Sequence, residues 1–113
     1  MMTSRILFFI ISTFFITQAT STAAVYKGQR EYVKECRHCH GGGQGMSTSK
    51  NMRTWKKMLK DNGADLAAVH LKSEKAKASR EYFSGDRFKK NAKHLRDFLV
   101  EYAKDSGKVP ACN

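Results

Sequence analysis

The sequence predicts an all-α domain of four to five short helices. Three observations point there. Apolar residues recur at three- and four-residue spacing in several segments, most regularly near the C-terminus, at Phe88, Ala92, Leu95, Phe98, Leu99 and Tyr102. No segment sustains the period-two alternation of a half-buried strand. Beyond position 24 the chain has no isoleucine and only five valines, Val25, Val33, Val69, Val100 and Val109. With 113 residues, 41% of them hydrophobic, the chain has room for one small domain.

The first element is a leader. Arg5 precedes the mostly apolar stretch 6–17, and small residues follow up to Ala24. A bilayer core of about 30 Å needs roughly 20 apolar residues to cross. The stretch is too short for that and reads as a secretory signal over 1–24, cleaved after Ala23 or Ala24, with an uncleaved anchor as the alternative. Residues 25–113 then form the domain, with 20 basic and 10 acidic residues and a formal charge of +10. A domain of this size with so modest an apolar stock needs a disulfide, a metal or a cofactor. Three cysteines cannot all pair within one monomer.

Tyr26, Tyr32, Val33 and Cys36 suit a first helix running into the first cysteine, and the glycine-rich stretch 41–45 reads as a flexible loop. Met52, Trp55 and Leu59 lie on one face of a second helix, with Ser49 or Asn51 as cap and Gly63 past its end. Asp65 opens a short helix bearing Leu66, Val69 and His70 on one side. Segment 73–83 is lysine-rich and helical. Asp86 opens the longest helix, which ends before Gly107 and Pro110.

Chemistry is concentrated at Cys36-Arg37-His38-Cys39-His40. This is C-x-x-C-H, the attachment sequence for haem c. Two thiols three positions apart can reach the two vinyl groups of one porphyrin, and the imidazole next in line can bind the iron. One flat apolar ring would also supply the core that the composition lacks. A structural zinc site needs four N/S ligands, and the second ligand pair is missing. A C-x-x-C redox pair belongs in a βαβ setting, which this pattern does not provide.

On these residues the chain resembles the small bacterial class I cytochromes c. That class carries a glycine eight residues and an aromatic four residues before the first haem cysteine, positions held here by Gly28 and Tyr32. Its C-terminal helix crosses the N-terminal one through a leucine and an aromatic, matched here by Leu99 and Tyr102. The resemblance covers both ends of the domain and is weak between positions 47 and 86. It implies a periplasmic, monomeric, monohaem electron carrier in which Cys36 and Cys39 are thioether anchors and His40 is the proximal iron ligand. Gly28, having no Cβ, would let the two helix backbones approach closely.

The class usually supplies a methionine as second ligand shortly before the last helix, near Gly85. No methionine follows Met58 here. His70, on an apolar helix side, is the leading candidate, followed by Met58 and Met52. Met46 lies too soon after His40 to reach around a ring easily. His94 and His38 suit a helix edge and the solvent. A thioether ligand raises the potential relative to a second imidazole, and an empty position would make the protein a five-coordinate haem sensor or small-ligand binder instead. Cys112 is left over, as a tail residue.

The positive charge suggests acidic redox partners, steered in by long-range attraction. An anionic membrane surface is the second acceptable partner. Nucleic acid is not expected, because the leader implies export and the lysines lack interleaved aromatics. No acid/base set stands out for turnover; Arg37, His38 and His94 are the nearest to one. The expectation is a carrier, not an enzyme.

Overall fold

The computed structural model describes residues 22–110, so positions 1–21 of the leader expected over 1–24, and Cys112, lie outside the described residues. Every regular element among the described residues is helical. In chain order these are α1 (Thr22–Glu35), α2 (Arg37–His40), α3 (Gly43–Ser47), α4 (Met52–Lys72), a 3-10 helix (Glu74–Ser79), α5 (Arg80–Ser84) and α6 (Asp86–Glu101). None is long and apolar enough to cross a membrane. There are more helices than the four or five expected, and α6 is not the only long one.

The frame is α6 packed along α1 on one side and α4 on the other. Trp55, Leu59, Phe88, Ala92, Leu95, Phe98 and Leu99 fill the space between them. The apolar face of α6 is the one its spacing predicts, with Phe88, Ala92, Leu95, Phe98 and Leu99 all buried. On α1 the buried face is Val25, Gly28, Glu31 and Tyr32. Tyr26 and Val33, apolar in character, are 59% and 42% exposed. The helix is turned by the Gly28 contact: a Cβ there would run into the His94 carbonyl of α6, so this face alone permits close crossing. The expected approach of the two backbones at Gly28 is present.

The glycine run is a loop only at Gly41 and Gly42. Gly43–Ser47 makes a turn of helix because Gly43 lies beneath the Phe98 ring, where a Cβ would meet the ring 2.8 Å away. Tyr32 Oη donates to the Gly41 carbonyl at 2.7 Å and holds the preceding turn. Asn51 caps α4 by accepting from the Thr54 amide at 2.8 Å.

Within α4 the backbone breaks at 60–63. Lys60 is extended, and Asp61, Asn62 and Gly63 have φ of 53°, 57° and 75°. Asp and Asn are among the few side chains that tolerate this left-handed region. Gly63 is also pressed against the Phe88 ring. The break lies where the sequence predicts one helix to end and another to start, and it swings Leu66 and His70 back over the N-terminal half of the domain.

Candidate functional site

Cys36, Cys39 and His40 are brought together by a single turn. The amides of Cys39 and His40 both donate to the Cys36 carbonyl, at 3.2 and 3.0 Å, and the Gly41 amide donates to Arg37 O at 2.8 Å. Both thiols are free; Cys36 is half-buried and Cys39 exposed. Burial, with Glu31 and Glu35 nearby, pushes the Cys36 thiol up to about 12. The Tyr32 hydroxyl is likewise raised to about 12, mainly by burial.

These residues border a cavity of about 540 Å³, within the span of small-molecule and cofactor sites (about 300–1,000 Å³). Its walls are largely apolar, with Trp55 and Met58 from the first half of α4, Leu66 and Val69 from the second, and Phe83 from α5. Lys50 and Lys75 stand among its lining residues.

His40 and His70 both line this cavity. Their ring centres are 6.0 Å apart and their planes cross at 75°. Metal–imidazole bonds run about 2.0–2.1 Å with the ring centre about 1 Å farther, so two imidazoles trans across one metal lie roughly 6 Å apart. The pair is spaced so that both rings could bind one metal between them. His70 Nδ1 is 2.8 Å from the Leu66 carbonyl. A carbonyl only accepts, so Nδ1 carries the hydrogen, and in the neutral ring the lone pair is on Nε2. His40, exposed at the surface, is shifted below the ordinary imidazole range by partial desolvation and then by His70 and His38, which favours its neutral, ligating form.

The other candidates divide. Met46 and Met58 line the cavity, so the glycine run does carry Met46 back against it. Met52 packs on the core instead. His38 is exposed at the cavity's edge. His94 is half-buried on α6 against α1, away from the cavity, and its Nδ1 is buried without a hydrogen-bond partner. No three His, Cys, Asp or Glu side chains among the described residues converge to hold a metal ion, which leaves the zinc alternative without its ligand set.

Two features were not read from the sequence. Phe83 lies flat on the His70 ring, centres 3.9 Å apart and planes 20° apart. Beside it, Glu31 is buried and accepts from Tyr82 Oη at 2.7 Å and from Arg87 at 3.0 Å, while Arg87 also meets Glu35 at 2.9 Å. Burial and the bond to Glu31 raise the Tyr82 hydroxyl well above its usual range. The only sequence signal for this network is the three-residue spacing of Glu31 from Gly28. Comparisons with protein-family models, with curated proteins and with solved structures find no match for this chain.

Proposed function

We propose that this protein is an exported monohaem c-type cytochrome of the class I kind, a one-electron carrier with two histidine ligands. One observation carries the reading: His40 and His70 face each other 6.0 Å apart across an apolar cavity that Cys36 and Cys39 border. The residues present fit a haem. Cys36 and Cys39 would hold it by thioethers, and His40 and His70 would be its iron ligands. Leu66, Val69 and Trp55 would cover its faces and exclude water. When bound, the haem supplies a one-electron iron couple, and two imidazoles set a lower potential than imidazole with thioether would. Close approach of α1 and α6 at Gly28 supports the resemblance to class I. Acidic redox proteins are the proposed partners.

Expression in a host able to attach haem c tests this directly. The protein should keep its haem on a denaturing gel, and Cys36→Ala or Cys39→Ala should weaken or abolish that stain. His70→Ala should turn the iron from low to high spin. The reduced parent should resist carbon monoxide, whereas rapid stoichiometric binding would favour the five-coordinate sensor. A secreted parent with both sulfurs unmodified and no tetrapyrrole overturns the proposal.

A further inference from the structure

An imidazole bound to a metal through one nitrogen keeps one main freedom, rotation about that bond. At His70 this freedom is blocked twice. The Nδ1–H bond to the Leu66 carbonyl, at 2.8 Å, ties the ring to its own helix. The Phe83 ring, stacked at 3.9 Å, would be struck by the imidazole edge if the ring turned. Phe83 cannot easily yield. It is 5% exposed, and it meets Phe88 edge-on at 4.8 Å and Tyr82 edge-on at 5.1 Å. Tyr82 is in turn held by its hydroxyl bond to Glu31, which Arg87 pairs.

We infer that Phe83 is a positioning residue that keeps the His70 ring plane crossed with that of His40, so that the two axial ligands of the iron stand in crossed planes. The inference rests on the haem reading above and adds the orientation of its ligands. The consequence is electronic. Crossed imidazoles each donate π-density to a different one of two iron d orbitals, which stay nearly equal in energy. Parallel imidazoles load one orbital and split the pair. Nothing in the C-x-x-C-H turn dictates either arrangement; the aromatic stack on the far side does.

Frozen-solution electron paramagnetic resonance of the oxidised, haem-loaded full chain distinguishes the two. The parent should give the strongly anisotropic low-spin signal of crossed planes. Phe83→Leu, apolar but without a flat face, should keep its haem and low-spin iron yet shift toward the rhombic signal of parallel planes. Phe83→Tyr, which restores the flat face, should return the parent signal. A rhombic parent, or Phe83→Leu with the parent's signal, overturns the inference while leaving two-histidine ligation standing. A high-spin parent, or one with a sulfur-to-iron charge-transfer band, instead overturns the ligand assignment and the inference with it. Should Phe83→Leu yield no loaded protein, Tyr82→Leu removes the contact behind Phe83 and carries the same expectation. An unchanged signal there also overturns the positioning role.

Discussion

Glu31 is the one carboxylate in the core, and its position is decided by what surrounds it. Both oxygens are bonded, one by Tyr82 and one by Arg87, so the charge is buried only where it is paired. Arg87→Ala would leave the carboxylate with the tyrosine alone. We expect a lower urea midpoint with an unchanged slope; a midpoint equal to the parent's would show the pair to be solvated. His94 makes a second, pH-dependent contribution. Burial depresses its protonation, followed by Lys27 and Lys93, with Asp97 and Glu31 opposing more weakly. The folded form therefore takes up a proton later than the unfolded chain, whose imidazole titrates at about 6.5. Stability is intact above that pH and falls as pH drops below it. His94→Gln should flatten this acid limb, measured as urea midpoints across the window, and an equally steep limb would assign the acid loss to other groups.

Among the helices, α1 shows why apolar character alone does not fix a buried face. Tyr26 and Val33 have the apolar character of core residues, and Glu31 does not. Gly28 overrides all three, because only its lack of a Cβ lets α1 lie against the His94 carbonyl. Gly28→Ala should thus be costly despite raising helix propensity. Overpacking of this kind costs roughly 1–3 kcal/mol, and a thermal midpoint at or above the parent's would mean that the crossing can open without loss. α6 was read correctly because its apolar stripe is wide and uninterrupted. The glycine run was read as a loop because its folding partner, Phe98, lies more than fifty residues away. Of the candidate site, the attachment turn was plain in the sequence and His70 could be singled out. Phe83, which holds the His70 ring, could not, since nothing local marks an aromatic in 73–83 as facing that histidine.

Across the molecule, basic residues outnumber acidic ones by 21 to 10, and two of them, Lys50 and Lys75, line the cavity. Such a surface accelerates encounters with an acidic redox partner and loses that advantage when salt shortens the range of the field to about 8 Å or less. Stopped-flow reduction by an acidic donor protein should slow steadily with ionic strength. A rate independent of salt would remove steering from the account.

The division between near and distant information follows from the range of the forces involved. The all-helical character, the break near Gly63 and the thiol–thiol–imidazole turn depend on φ/ψ preferences and on spacings within a few residues, and the linear chain expresses them. The buried face of α1, the folding of the glycine run, the pairing of Glu31 and the stacking of Phe83 on His70 depend on contacts between segments about ten to seventy residues apart. Close packing selects among the faces that each helix offers, and that selection exists only once α1, α4 and α6 have met.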